Sequence, residues 1–361
     1  MNASLATYWR HVASGKRNGL DSRLVQLLLL LPSLFYAFLQ RLRAWLYRDG
    51  VLDTKRLSRP VISIGNLAVG GTGKTPVTAY IARLLLAQGL RVAVLSRGYG
   101  GNCEGQVRVV SDGHEIFLSA DECGDEPYLL ARTIPGLMVV IGADRYAAGV
   151  LAMERLKPDI FLLDDGFQHL RLYRDLNILL LDCTRPFGNG WGLPAGLLRE
   201  PKCAALRADL VIQTRCLGGA MPAAVVPDRL HCCARHLLGD ALPLAGGDPL
   251  PLAGLRGRKL LAFAGIAEPD GFFEELRNHG LNLVATLDFP DHAVYDAALL
   301  GEIMDAFDAC AADFAITTEK DGVKLNALPP GLSEKILLAR LELSIDDPTA
   351  LTAALRNLLQ K

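Results

Sequence analysis

The sequence predicts an α/β fold with a mostly parallel β-sheet, and three observations carry this prediction. Short apolar runs alternate with runs of helical periodicity along most of the chain. A glycine-rich turn at residues 68–75 joins the apolar run 61–66 to a helix. Another apolar run ends in the acidic pair Asp164 and Asp165. Strands that alternate with helices pair in parallel and bury both faces of their sheet.

The glycine-rich turn predicts a phosphate loop, and hence a fold of the P-loop NTPase type. Its glycines allow several backbone N–H groups to point at one anion, with the positive end of a helix dipole behind them. Lys74 is expected to reach the β- and γ-phosphates of a nucleotide, and the Thr75 hydroxyl to hold Mg²⁺. The first residue is alanine where the usual pattern has Gly, and a turn without any ligand is the alternative. The predicted loop consists of Ala68, Val69, Gly70, Gly71, Thr72, Gly73, Lys74 and Thr75.

Charged side chains begin or end three further predicted elements. Asp164 and Asp165 follow a buried strand, where acidic residues hold Mg²⁺ directly or through water. Asp125 opens a helix, and such a carboxylate either caps the helix or serves as a general base; residue types alone favour neither. Arg145 begins another helix and either touches a phosphate or is solvated.

Composition excludes some functions. A formal net charge of -1 over 361 residues gives no reason to expect a nucleic-acid partner. The eight cysteines show no Cys-x-x-Cys spacing and are expected to be reduced thiols, mostly in the core. The mean hydropathy of +0.23 is high for a freely soluble enzyme, and the excess lies near the N-terminus.

The N-terminal region predicts a helix that lies in a membrane interface. Residues 24–39 are apolar apart from Gln26, Pro32 and Ser33, and ten Lys or Arg against three Asp lie between Arg10 and Arg59. A helix of this length spans about 24 Å, less than the roughly 30 Å hydrocarbon core. We therefore expect neither a transmembrane span nor a cleaved signal peptide. A core helix is the alternative, but it does not require basic flanks.

Composition also suggests domain boundaries. We expect a membrane-interface region at 1–50, a nucleotide and catalytic domain at 51–216, a linker rich in Pro, Gly and Ala at 217–258, and a smaller α/β domain at 259–361. Two loops of the last region carry polar clusters. A lone loop histidine such as His292 is usually solvated. Residues 317–321 could read a nucleotide base or form an ordinary charged turn.

Six motifs resemble the tetraacyldisaccharide 4'-kinases of lipid A synthesis, in which they occur in the same order. They are Val-Gly-Gly-Thr-Gly-Lys-Thr-Pro, Ser-Arg-Gly-Tyr-Gly, Gly-Asp-Glu-Pro, Asp-Asp-Gly-Phe-Gln-His, Leu-Arg-Glu-Pro and Thr-Thr-Glu-Lys-Asp. The resemblance covers residues 59–321 and implies a two-domain enzyme on the cytoplasmic face of a Gram-negative inner membrane, peripheral or monotopic. Such enzymes move the γ-phosphate of ATP onto the 4'-hydroxyl of a tetraacyldisaccharide 1-phosphate, giving lipid IVA, and need no protein partner.

The resemblance also implies roles for single residues. Asp125 would be the general base and His292 its partner, so that catalysis requires the two domains to close. Glu200 would join Thr75, Asp164 and Asp165 at the metal. The residues expected along the phosphates are Arg145, Gln168 and His169, and those expected at the nucleoside are Glu319, Lys320 and Asp321.

Two other functions fit parts of the sequence. Partner-regulated ATPases that dock on membranes have a similar loop, but they carry a lysine directly before Gly-Gly, where this chain has Val69. They also lack an acceptor site, which leaves Asp125 and His292 without a shared role. A soluble small-molecule kinase would leave the basic, apolar N-terminus unexplained.

Overall fold

A computed structural model describes residues 8, 9, 11–15, 17, 19–70, 73–216, 224–325, 328 and 331–360. Gly71 and Thr72 of the predicted phosphate loop lie outside the described residues. The helices are α1 (Leu20–Arg48), α2 (Lys74–Ala87), α3 (Ala120–Cys123), α4 (Asp125–Thr133), α5 (Arg145–Arg155), α6 (Pro269–Asn278), α7 (Ala297–Ala309), α8 (Glu319–Gly322) and α9 (Thr349–Leu359).

The strands are β1 (Val61–Asn66), β2 (Val92–Ser96), β3 (Arg108–Asp112), β4 (Met138–Ile141), β5 (Ile160–Asp164), β6 (Leu176–Asp182), β7 (Leu210–Thr214), β8 (Leu230–Pro243), β9 (Lys259–Ala264), β10 (Asn282–Asp288), β11 (Phe314–Thr318) and β12 (Ile336–Ile345). Over the described ranges they form one sheet in the order β10-β9-β11-β12-β8-β7-β6-β1-β5-β2-β4-β3. Only the β3–β4 and β8–β12 pairs are antiparallel, which confirms the predicted mostly parallel α/β fold.

One predicted segment differs from the structure. The predicted linker 217–258 contains β8, a fourteen-residue strand that joins the two halves of the sheet. Its first four residues pair with β7, and residues 234–238 and 241–243 pair with β12. The amino-terminal half (β1–β7) and the carboxy-terminal half (β9–β12) are therefore connected by backbone pairing.

The direction of β8 places the ends of the two halves opposite each other. β8 runs parallel to β7 but antiparallel to β12, so the parallel strands of the two halves point in opposite directions. Gln213 lies near the end of β7 and pairs with Cys233, the fourth residue of β8. Ile345 lies at the end of β12 and pairs with the next residue of β8, Ala234. The carboxyl ends of each half thus point toward the other half. Ligands of α/β sheets bind at such ends.

Buried apolar side chains cover both faces of each half. The largest cluster packs β1, β2 and β5 against α2 and α4, and two further clusters sandwich β9 and β11. Leu351, Leu355 and Leu358 of α9 belong to the largest cluster, whereas we expected this segment to belong to the smaller domain at 259–361. The reason is the register of β12, whose last residue pairs with Ala234 of β8. The chain therefore leaves β12 beside the amino-terminal half.

Helix α1 is longer than predicted. It has 29 residues with Pro32 inside, so its length is about 44 Å. It is the one helix among the described residues that is long and apolar enough to cross a membrane. This contradicts our expectation of a segment too short to span. Its leucines are largely exposed, Leu28 and Leu31 by 77% each, which excludes the alternative of a core helix.

We predict that Gly65→Ala destabilises the protein. A Cβ at this position of β1 would lie 2.8 Å from the Cβ and the backbone nitrogen of buried Phe167. Overpacking of this kind costs about 2 kcal/mol, measured as the free energy of unfolding in urea. Gly301→Ala in α7 is the control, because a Cβ there meets open space and Ala raises helix propensity. Equal stability of the two variants would contradict the prediction.

Candidate active site

The phosphate loop is held by the segment 197–199. The Val69 N–H donates to the Leu197 carbonyl over 2.8 Å, and the Arg199 N–H donates to the Leu67 carbonyl over 2.7 Å. Ala68 and Leu198 form an antiparallel bridge between these bonds. The Leu-Arg-Glu-Pro motif therefore acts as a short backbone clamp on the loop, a role that the sequence pattern alone did not reveal.

The loop ends in a left-handed turn that starts α2. Gly73 has φ +76° and precedes Lys74, the first residue of the helix. The His236 imidazole of β8 lies where a Cβ on Gly73 would be. Burial and, to a smaller extent, the charge of Arg215 lower the pKa of His236 to about 4. A neutral imidazole thus packs on the turn, and sequence reasoning missed it because β8 was not expected there.

Two cations hold Asp165 beside the loop. Arg199 Nη1 lies 2.7 Å from Asp165 Oδ2, and Lys74 Nζ lies 3.9 Å from Asp165 Oδ1. Burial raises the pKa of Asp165, but the charges of Lys74 and Arg199 outweigh this effect and leave the pKa below its usual value. Its backbone is left-handed, with φ +53°, a strained conformation for a residue with a Cβ. Such strain is typical of functional sites.

Asp164 is placed for a cation. Only 2% of the residue is exposed, and Thr78 Oγ1 donates to its Oδ1 over 3.1 Å. Burial, then the charges of Glu126 and Asp165, raise the pKa of Asp164 to about 7. Such a carboxylate gains from a nearby positive charge. Asp165 Oδ1 is buried and has no hydrogen-bond partner among the described residues.

Asp164 and Asp165 suit the way in which P-loop proteins bind Mg²⁺. Magnesium in such sites takes one or two carboxylates, a loop hydroxyl, water and the phosphates of its nucleotide. The described residues contain no group of three or more His, Cys, Asp or Glu that could hold a metal by themselves. Asp164, Asp165 and Thr75 therefore suit a metal that arrives with a nucleotide.

Glu200, predicted as a further metal ligand, is engaged elsewhere. It is 1% exposed. Arg207 donates to both of its carboxylate oxygens, and Gln168 Nε2 donates to Oε2 over 3.3 Å and to the Asn66 carbonyl over 2.8 Å. These contacts hold the Glu200 carboxylate at the end of β1, and Arg207 neutralises its charge.

Arg145 is buried near the acidic pair, and His169 is half-buried near Arg145. Burial lowers the pKa of Arg145 to about 10, whereas the charges of Asp164 and Asp165 raise it. Its Nη1 donates to the Gly142 carbonyl over 2.6 Å. Burial lowers the pKa of His169 to about 4, so its ring is neutral. His169 Nε2 has no hydrogen-bond partner in the described part of the chain.

Asp125 and His292 meet between the two halves of the sheet. His292 Nδ1 lies 3.1 Å from Asp125 Oδ2, and its Nε2 lies 3.4 Å from Lys320 Nζ. A lysine ammonium can only donate, so Nε2 accepts and Nδ1 carries the hydrogen that is donated to Asp125. His292 has φ +61°, and Tyr99 packs edge-on against its ring. The carboxylate and its predicted partner are already in contact.

The environment keeps Asp125 ionised. Burial raises its pKa, but the hydrogen bond from His292 and the charge of Lys324 outweigh this effect, and the pKa lies below its usual value. A carboxylate with a lowered pKa contributes stability above its unfolded pKa and loses it as the pH falls through the lowered value. Asp125 is therefore an unprotonated carboxylate throughout the neutral range.

The predicted nucleoside-binding trio does not form one cluster. Glu319 accepts from the Leu341 N–H of β12 over 3.3 Å, while Lys320 points to His292. Asp321 is 0% exposed and accepts from Thr318 Oγ1 and the Gly265 N–H, so a nucleoside cannot reach it. The three residues occupy the first turn of α8, whose successive side chains project about 100° apart.

A phosphate loop, an acidic pair beside it and a carboxylate–histidine pair facing it define a P-loop phosphotransferase. The family model of Tetraacyldisaccharide-1-P 4'-kinase matches residues 25–360. This chain belongs to the tetraacyldisaccharide 4'-kinase family.

Named relatives and a solved structure agree with this assignment. The chain is 64% identical to the tetraacyldisaccharide 4'-kinase of Pelobacter propionicus, over 100% of both chains. It is 54% identical to that of Geobacter sulfurreducens, over 99% of this chain and 100% of the relative. The "apo" form of LpxK from Aquifex aeolicus, in complex with ATP, is 33% identical, with a TM-score of 0.77 over 91% of this chain and 98% of that one.

We predict that Arg207→Met destabilises the protein by about 3 kcal/mol, because it leaves the buried Glu200 carboxylate without its cation. Urea denaturation measures the loss, and Glu200→Gln combined with Arg207→Met should recover part of it. Arg56→Met is the matched control, since the Arg56 side chain is 67% exposed in its pair with Asp175 and such pairs contribute less than about 1 kcal/mol. Similar losses for Arg56→Met and Arg207→Met would contradict this.

Proposed function

We propose that this chain transfers the γ-phosphate of ATP to the 4'-hydroxyl of a tetraacylated glucosamine disaccharide 1-phosphate, giving lipid IVA. Asp125 accepts the proton of the attacking hydroxyl, and His292 fixes the orientation of its carboxylate. Lys74 neutralises charge that develops on the transferred phosphoryl group. Family membership and the order of the site motifs support this reaction.

The contact between Asp125 and His292 carries the mechanistic part of the proposal. The first residue begins α4 in the amino-terminal half, and the second follows β10 in the carboxy-terminal half. A base assembled from both halves faces the phosphate loop only when the halves are together, which couples acceptor activation to closure. A simple ATPase needs no such base for a sugar hydroxyl.

Magnesium is part of the proposed reaction. Thr75, Asp164 and Asp165 would hold it with the nucleotide, and it would supply charge neutralisation at the β- and γ-phosphates. Arg145 is buried near the same acids, and their negative charge counteracts the lowering of its pKa by burial, so it adds positive charge to this part of the site.

We further propose that α1 binds the cytoplasmic surface of the inner membrane, where ATP is supplied. Polar side chains of the helix face the protein: Ser33 donates to the Gly192 carbonyl, Tyr36 to that of Arg199 and Arg43 to that of Gln168. Apolar side chains face outward. This arrangement, with basic flanks, suits a helix buried in an anionic lipid interface and brings the membrane close to the acidic pair.

We predict that Asp125→Asn lowers kcat at least about 100-fold by removing the base, with little change in KM for ATP. The assay follows label from γ-labelled ATP into detergent-dispersed tetraacyldisaccharide 1-phosphate with Mg²⁺. Asp121→Asn is the control, because Asp121 is exposed in the adjacent turn. Full activity of Asp125→Asn would remove the proposed base. ATP hydrolysis without any labelled lipid would instead indicate an ATPase.

We predict that Leu27→Glu with Leu31→Glu abolishes binding to liposomes that contain phosphatidylglycerol, while the protein stays folded. The two side chains are 64% and 77% exposed, so the changes affect lipid contact and not packing. Leu206→Glu, on an exposed leucine outside α1, is the control and should co-float with liposomes like the unaltered protein. Equal flotation of all three proteins would contradict the proposed membrane surface.

A further inference from the structure

Lys324 belongs to the carboxy-terminal half, yet its ammonium reaches the proposed base. Its side chain is 8% exposed and follows α8. The Nζ atom lies 3.1 Å from Asp321 Oδ1 and 3.8 Å from Asp125 Oδ2. A lysine removed from water to this extent is stable only where carboxylates compensate for its lost hydration. Lys324 therefore depends on one acid from each half.

The contacts of Asp125 are concentrated on one oxygen. Lys324 Nζ and His292 Nδ1 both approach Oδ2, and neither contact uses Oδ1. Two contacts to one oxygen fix the rotation of the carboxylate about its terminal bond. Oδ1 is then the oxygen that accepts a proton from an incoming hydroxyl.

Asp321 acts as an anchor for the lysine. Its Oδ2 accepts from the Gly265 N–H over 3.1 Å and from Thr318 Oγ1 over 2.7 Å. These bonds lie within the carboxy-terminal half and hold Asp321 without help from Lys324. The lysine, whose Nζ also lies 5.2 Å from the centre of the Tyr295 ring, thus extends from a fixed point toward Asp125.

We infer that Lys324 is a positioning residue for phosphoryl transfer: its ammonium, anchored on Asp321, is the second group after His292 that orients the Asp125 carboxylate. The inference rests on the proposed role of Asp125 as the base. It also assigns a function to Lys324, which lies three residues after the end of the Thr-Thr-Glu-Lys-Asp motif.

The sign of the pH effect follows from charge. Lys324 favours the anionic form of Asp125, so its removal lets Asp125 bind a proton at higher pH. The acid limb of kcat/KM, which reports the base in the free enzyme, then moves to higher pH. The other groups that face or lie near the carboxylate remain in place: His292, Lys320, Tyr295, Asp321 and Cys123.

The test compares Lys324→Met and Lys324→Arg in the full-length protein with the lipid kinase assay. Lys324→Met keeps the apolar stem and removes the charge, and we expect kcat to fall roughly 10- to 100-fold with the acid limb moved to higher pH. KM for ATP should change by less than about twofold, because the substitution removes no proposed contact with ATP. Lys324→Arg keeps a cation and should restore the original acid limb and most of the rate. Lys259→Met, at an exposed position of β9, is the matched control.

Three outcomes overturn the inference. Unchanged kcat and pH profile in a folded Lys324→Met variant would show that the ammonium is not needed. A raised KM for ATP with an unmoved acid limb would assign Lys324 to nucleotide binding. Equal losses in both variants, together with lower melting temperatures, would make its role structural. Asp125→Asn, measured in parallel, separates failure of the proposed base from failure of the positioning role. An active Asp125→Asn would reject the base. An inactive Asp125→Asn together with an unaffected Lys324→Met would reject only the positioning role.

Discussion

Backbone pairing along β8 is the constraint on which the site depends. Because β8 pairs in parallel with β7 and antiparallel with β12, the strands of the two halves end facing each other. Loops that follow β1 and β5 carry the phosphate loop and the acidic pair, and loops that follow β10 and β11 carry His292 and Lys320. A parallel β8–β12 pair would have sent the second set of loops to the opposite edge of the sheet.

Charge is distributed unequally across this cleft. Three acids lie on the side of the amino-terminal half, where Asp164 is buried and Asp125 and Asp165 are half-buried. Cations come from α2, from the clamp on the phosphate loop and, at Asp125, from the other half through Lys320 and Lys324. Asp125 and Asp165 thus each have a cationic partner, as low-dielectric surroundings require. Asp164 is the exception, with a pKa raised to about 7, and it is the one best suited to gain from a metal.

Local patterns predicted most elements, whereas long-range packing was not readable from the sequence. Apolar runs located β1 and β5 closely, and Gly-Lys-Thr and Asp-Asp located the phosphate side of the site. The stretch around β8 was predicted as a linker because Pro, Gly and Ala flank it, and its strand forms only by pairing with two distant partners. The partner that neutralises Glu200, Arg207, is identified only by packing. The extension of α1 to Arg48 follows from good helix formers beyond the apolar run.

Strained backbone marks both sides of the cleft. Asp165 and His292 have φ +53° and +61°, conformations that cost of order 1–2 kcal/mol each for residues with a Cβ. Asp165 is held by Lys74 and Arg199, and His292 by its N–H bond to the Gly265 carbonyl. Each strained residue is thus stabilised within its own half. The amino-terminal half carries the phosphate loop and the proposed base, Asp125. The carboxy-terminal half supplies His292, which orients that base. The ion pairs and hydrogen bond that join the halves at this site centre on the Asp125 carboxylate, which His292 and Lys324 of the carboxy-terminal half contact.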